Sequence, residues 1–199
     1  MTDKKDNIRA ALLAKGRELV SEKGPEFLTA RKLSEASGYS VGTIYNQFAG
    51  MDDFICAQNI QTLDELEVRI QKILPHTSAY KNLNRYVDVF VGFVLEHPNL
   101  WMLLYSQHLK PAAVSLPFCY RRRLALIPRR LEKEFAKIFR QLSRGERKLS
   151  MQVLWLSLFS LSSFLITPGL DNFSGLSKEN ICKLLLNTYL GGLAVLKRV

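Results

Sequence analysis

Cysteine is scarce: Cys56, Cys119 and Cys182 are the only three in 199 residues. They lie too far apart for a metal or dithiol motif, which leaves free thiols, the expected state in a reducing cytosol. Histidine is as rare. His76, His97 and His108 lie in the middle of the chain at spacings that build no metal cage. The glycines fall singly at breaks and caps, so no phosphate-cradling loop is present. A nucleophile elbow is missing too. No catalytic residue, metal or cofactor is implied, and an enzyme is the third choice of class. The first residues, Met1 to Asp6, lack the apolar core of a secretion signal, so a cytoplasmic protein is expected. Long β-branched alternation is also lacking, and Leu-rich helical periods replace it. The fold class is therefore all-α.

What is present fits a folded protein: 47% of residues are hydrophobic and 23% charged. This length suits one domain or a small head on a larger body. One uncharged run, Leu149 to Ile166, reaches the length of a membrane span. Gln152 and five serines interrupt it and no aromatic belt flanks it, so it reads as a buried interface helix and no membrane partner is expected. The net charge is +10. Over residues 1–58, eight Lys/Arg balance eight Asp/Glu, whereas between Lys110 and Lys148 twelve Lys/Arg face three Glu.

The most informative stretch runs from Leu28 to Phe48. Thr29 can cap a first short helix, with Leu28 and Leu33 at hydrophobic-staple spacing. Leu33, Ala36 and Ser37 then share a face, and Gly38 suits a left-handed C-cap. Ser40 can cap a second helix, with Tyr39 and Ile44 as its staple and Ile44 and Phe48 as its inward face. Gly42, Thr43, Tyr45, Asn46 and Gln47 are left outward. Two capped helices about one glycine make a helix-turn-helix, whose second helix can enter a DNA major groove. A tyrosine can donate to phosphate, and amides suit base edges. On the pattern alone, a packing corner in a helical interaction protein is the alternative.

These residues carry a family resemblance. Thr29, the segment Leu33 to Ser40, Gly42-Thr43-Ile44-Tyr45, Phe48 and the acidic pair Asp52-Asp53 resemble the tetracycline-repressor-like (TetR) regulators over about residues 8–58. His97-Pro98-Asn99-Leu100-Trp101 is similar to a segment of some effector domains in that family. The family usually has Ala where Ser34 and Ser37 stand, and a phosphate-touching Lys where Met51 stands. The serines would loosen the helix contact and Met51 would remove one backbone contact. The resemblance implies a ligand-responsive transcriptional regulator, a repressor that binds double-stranded DNA at a palindromic operator as a homodimer. Its DNA-binding set would be Thr29, Ala30, Arg31, Ser40, Val41, Gly42, Thr43, Tyr45, Asn46 and Gln47. Thr29 and Tyr45 would take phosphates, while Thr43, Asn46 and Gln47 would approach base edges.

The expected organisation is a helix-turn-helix domain over 1–50, a connector helix over 51–74, and an effector-binding and dimerisation domain over 75–199. The first helix is read from Ile8 to Glu22, after a frayed start. Later helices are read at 77–96, 99–108, 118–142 with a kink at Pro128, 149–166 and 177–197, about nine in all. Ile181, Leu184, Leu185, Leu193 and Leu196 give the last one an apolar face. With 149–166, it would pair across a two-fold axis. Phe90, Phe93, Trp101, Tyr105, His108, Phe118, Tyr120, Trp155 and Phe159 are the candidate effector pocket. Each is most simply a core residue, but together they allow an apolar cavity with polar tips. The basic excess near Arg121 and Arg122 suggests that the small-molecule effector is an amphipathic anion.

Overall fold

Caps, breaks and apolar faces fold the chain into ten α-helices among the described residues, with no strand among them. The structure, a computed structural model, describes residues 2–109, 116–167 and 177–196. The expected loops at residues 110–115 and 168–169, the end of the last helix at Lys197 and the side chain of Leu196 lie outside the described residues.

The helices are α1 (Thr2–Lys23), α2 (Ala30–Ser37), α3 (Val41–Gln47), α4 (Met51–Gln71), α5 (Ala79–Glu96), α6 (Pro98–His108), α7 (Phe118–Leu124), α8 (Leu126–Ile138), α9 (Arg144–Leu165) and α10 (Lys178–Leu196). A 3-10 turn, Pro25–Phe27, joins α1 to α2.

Several expected boundaries move: α4 ends at Gln71 rather than at residue 74, and α8 at Ile138 rather than at residue 142. Helix α1 begins at Thr2 rather than Ile8. The expected single helix over 118–142 is two, parted at Ala125. Pro128 explains the position of that break. Its ring collides with the carbonyl four residues back, that of Leu124, so the helix ends there and Pro128 sits in the first turn of α8. Helix α9 begins at Arg144, not Leu149. Ser143 and Glu146 form a capping box, with Ser143 N–H donating to Glu146 Oε2 at 2.8 Å and Glu146 N–H to Ser143 Oγ at 3.3 Å. Arg144 and Gly145, read as a break, are the first residues of that helix.

Two compact units result, and their limits differ from the functional limits expected from sequence. The first holds residues 1–65 and 97–123, the second 66–96 and 124–199. In the first, α1 packs on α2, α3 and α6. Leu12, Leu33, Ile44 and Phe54 are fully buried there with Leu100 and Leu103 of α6. The His97–Trp101 segment therefore completes the N-terminal core. Asn99 Nδ2 donates to the Ser21 carbonyl at 2.9 Å, which ties α6 to the end of α1. In the second unit α5, α8, α9 and α10 form a closed ring, each packed on the next. Tyr80 Oη donates to Asn187 Oδ1 at 2.5 Å, Asn82 Nδ2 to Glu134 Oε2 at 3.1 Å and Tyr189 Oη to the Ser150 carbonyl at 2.8 Å.

Helix α9 is half covered. Met151, Leu154, Trp155, Leu158 and Phe159 are buried, while Leu149, Val153, Leu156 and Phe164 face outward at successive spacings of four, three and eight residues along one stripe. On α10, Cys182, Leu186 and Leu190 are buried and Leu184 and Val195 are exposed. Leu185 and Leu193, read as part of the outward apolar face, are only half-exposed. By length and composition α9 could also cross a membrane; its buried half is packed against α8 and α10.

Candidate nucleic-acid interface

The two short helices close as the sequence dictates. Thr29 Oγ1 accepts from Lys32 N–H at 3.2 Å, and Ser40 Oγ accepts from Thr43 N–H at 3.1 Å. Each hydroxyl satisfies one orphan donor of a first turn. Gly38 is left-handed, with φ 72°, where a side chain would strain the backbone. Leu28, Leu33, Ile44 and Phe48 are buried.

The serines at 34 and 37 do not loosen this corner. Ser34 Oγ donates to the Tyr39 carbonyl at 2.7 Å, and Ser37 Oγ accepts from Tyr39 N–H at 3.3 Å. Both backbone groups of the turn residue are thus held by α2. Ala36, placed with Leu33 on the inward face, is exposed instead. Ser34→Ala leaves the Tyr39 carbonyl unpaired and should cost about 1 kcal/mol, read as a lower urea midpoint at unchanged slope. Ala36→Ser should be close to neutral.

Two supports were not legible as such in the sequence. Arg9 Nη1 donates to the Gln47 carbonyl at 2.5 Å, and its guanidinium stacks 4.0 Å over the Phe48 ring. Arg9 therefore caps the C-terminal end of α3 from α1, a contact 38 residues distant that no local pattern encodes. Gly16 of α1 lies so close to α4 that a Cβ there would stand 2.5 Å from Phe54 Cζ. Met51 packs against the hydrophobic core of this unit, which gives the departure from the family's usual Lys a packing role.

The outward set can be placed residue by residue. Thr29, Arg31, Ser40, Val41, Gly42, Tyr45 and Asn46 are exposed; Ala30 and Thr43 are half-exposed. Tyr45 is 50% exposed, large for an aromatic ring with a free face. Thr43 Oγ1 lies 2.9 Å from Ser40 Oγ, so its hydroxyl is oriented by the cap. Gln47 departs from the outward reading: it is half-buried, and its Oε1 is enclosed with no hydrogen-bond partner among the described residues. Arg31 and Lys32 share the carboxylate of Glu35, at 3.1 and 3.0 Å. Lys32 first, then Arg31, holds that carboxyl below its ordinary pKa. These two bases and one acid leave a single net positive charge beside this exposed face.

The nine candidate effector residues divide between the units. Trp101, Tyr105, His108, Phe118 and Tyr120 belong to the first. Trp101 and Tyr120 are fully buried, and Phe118 is 72% exposed. Tyr120 Oη and His108 Nε2 lie 3.1 Å apart. Burial lowers the pKa of His108 and raises that of Tyr120, so both are held neutral. Burial likewise pushes the Cys56 thiol up to about 11, an unreactive state. Phe90, Phe93, Trp155 and Phe159 belong to the second unit. Phe90 and Trp155 rings stand 5.2 Å apart and wall a cavity of about 10 Å³ with Ile70, Val87, Ile127, Leu131 and Leu158. Tyr86 and Arg130 supply its polar tips. Arg130 Nε donates to Glu67 Oε1 at 2.9 Å, so the one base on this wall is engaged. That volume holds about one water. Among the described residues no cluster of three or more His, Cys, Asp or Glu is placed to hold a metal.

Residues 12–57 match the family of bacterial regulatory proteins, tetR family. No curated protein sequence matches the chain. Solved structures share its fold over nearly the whole length. A tetR-family transcriptional regulator from Streptomyces coelicolor is 16% identical, with a TM-score of 0.71 over 96% of this chain and 82% of that one. RolR in complex with resorcinol is 15% identical, with a TM-score of 0.68 over 96% and 89%. The transcriptional regulator FadR from Bacillus subtilis, in complex with stearoyl-CoA, is 16% identical, with a TM-score of 0.64 over 92% and 98%. At such identities the likeness is one of fold. The match at the N-terminal helices and the shared fold support a DNA-binding transcriptional regulator, and the chain is TetR-like, with a tetR-family domain at residues 12–57.

Proposed function

We propose that the chain is a cytoplasmic, non-enzymatic repressor that binds a palindromic operator as a homodimer and is released by a small-molecule effector. The observation that carries the reading is the exposed face of α3, with Thr43, Tyr45 and Asn46 presented on a helix fixed by the Ser40 cap at its start and by Arg9 at its end. Thr29, Ala30 and Arg31 at the start of α2, with Ser40, Val41 and Gly42, bring the backbone close to phosphates. Gln47 joins the set through its amide nitrogen, since its carbonyl oxygen is enclosed. Residues 1–50 supply DNA binding, 51–74 the mechanical connection, and 75–199 effector binding and dimerisation.

Effector binding is supported by the aromatic cavity of the second unit and by the ligands of two similar folds, resorcinol in RolR and stearoyl-CoA in FadR. At about 10 Å³ the cavity must open to admit either. An amphipathic anion would take Arg130 from Glu67, and its tail would part Phe90 from Trp155. Thermal shift with resorcinol and with stearoyl-CoA separates a phenolic from an anionic acyl class.

Gel shift of the protein against its own promoter region tests the DNA reading. Tyr45→Phe removes a phosphate donor and should weaken all sequences alike. Asn46→Ala should relax preference at one operator position by about 1–3 kcal/mol. A changed base preference in Tyr45→Phe, or the same binding by every variant, would refute the assignment.

A further inference from the structure

The proposed DNA-reading domain has no net charge, with eight Lys/Arg against eight Asp/Glu over residues 1–58, and its exposed Arg31 and Lys32 are already paired with Glu35. The basic excess lies elsewhere. Between residues 124 and 150 eight Lys/Arg face three Glu. On α8, Arg129, Lys133 and Lys137 recur every fourth residue on the exposed side, and Arg140 follows just beyond the helix end. The opposite side of α8, with Ile127, Leu131 and Phe135, is buried where α8 packs on α5 and α9. Arg129, Lys133 and Arg140 have no acid within ion-pair distance among the described residues, and Lys137 pairs only with Glu134, at 2.6 Å. Helix-dipole compensation accounts for Lys137 and Arg140 near the C-terminal end. It does not account for Arg129, which sits in the N-terminal half where a base is disfavoured.

We propose that this stripe of α8 binds the sugar–phosphate backbone of double-stranded DNA without reading its sequence. Charges spaced four residues apart on a helix are about 6 Å apart along its axis, a spacing at which successive bases can each meet a phosphate of a polyanion. The surface offers charge and little else, which selects among anionic partners. A membrane-binding helix inserts an apolar face, but the apolar face of α8 is spent on the core. A single-stranded nucleic acid needs exposed aromatic platforms, whereas Phe135 and Phe139 are buried. Neutralising phosphates releases counterions and raises affinity for any duplex. The stripe thereby supplies the long-range attraction that a neutral reading domain lacks, and holds the protein near DNA while α3 samples sites. The inference concerns random-sequence duplex and stands or falls separately from operator recognition.

The test uses the full chain with Arg129→Gln, Lys133→Gln, Lys137→Gln and Arg140→Gln combined. These side chains are exposed, so the fold should survive, as circular dichroism would verify. Binding to a random-sequence duplex is followed by fluorescence anisotropy across a salt series. The slope of log affinity against log salt should become shallower by about 3 to 4. A comparison variant, Arg121→Gln with Arg122→Gln, should change it far less. An equal slope loss per charge removed in the two variants would mean that net charge acts without a defined surface, and would overturn the proposal. So would an unchanged slope in the fourfold variant, or stripe-dependent binding to phosphatidylserine vesicles with none to duplex.

Discussion

Gly16→Val should destabilise the first unit by about 3 kcal/mol. An alanine at an exposed helix position normally stabilises relative to glycine by about 1 kcal/mol, so Gly16→Ala is the sharper test of sign. Even one Cβ at position 16 would lie 2.5 and 2.7 Å from Phe54 Cζ and Cε1, and 3.1 Å from Gln58 Nε2. The ring cannot swing aside cheaply. Phe54 is fully buried, and its edge meets the Phe48 ring at 4.8 Å between centroids. Gln58 is held too, donating to the Leu13 carbonyl at 2.5 Å. Both variants should lower the urea midpoint, valine more than alanine. Phe54→Leu should recover part of the loss in a double-mutant cycle. An alanine variant more stable than the parent would show that α1 and α4 separate without penalty.

Leu156→Glu combined with Leu184→Glu should yield a folded monomer whose operator affinity is lower by at least about 100-fold, because the second half-site is no longer delivered at high effective concentration. Leu156 is 61% and Leu184 67% exposed, each on a helix whose other side is packed. A charge there costs the monomer little but would be buried without a partner in a two-fold pair. Leu185 and Leu193 are poorer places for the same charge, since both are half-buried within the unit. Sedimentation gives the mass, and circular dichroism checks that helix content persists. A variant that stays dimeric would move the interface away from α9 and α10.

Local chemistry made much of this molecule readable. Thr29, Gly38 and Ser40 act on neighbours within a turn or so, so sequence spacing alone was enough to place α2 and α3. The same logic holds at Ser143 and Glu146, whose capping box surrounds Gly145 and outweighs its helix-breaking tendency. The steric effect of Pro128 falls four residues earlier than its own position, which displaces the expected kink to a break at Ala125. Side-chain placement was less accessible. Ala36 is exposed and Gln47 half-buried, against expectation, in a corner where Ser34 and Ser37 hold Tyr39 and Arg9 binds the Gln47 backbone carbonyl. The effector candidates share residue type rather than location. Their division between the units depends on α6 joining the N-terminal core through Leu100 and Leu103, which only the packing reveals.

The double hold on Tyr39 has a kinetic consequence. Its amide hydrogen is donated to Ser37 and its carbonyl receives Ser34, so neither exchanges partners with solvent while the corner is closed. Deuterium uptake at Tyr39 then tracks the opening of the α2–α3 corner rather than surface fraying. A corner that opens rarely arrives at a groove already ordered, and little entropy remains to be lost on landing. Residence time on a site would accordingly lengthen as Tyr39 exchange slows, which links two hydroxyls on the back of α2 to the dwell of a helix they never touch in the groove.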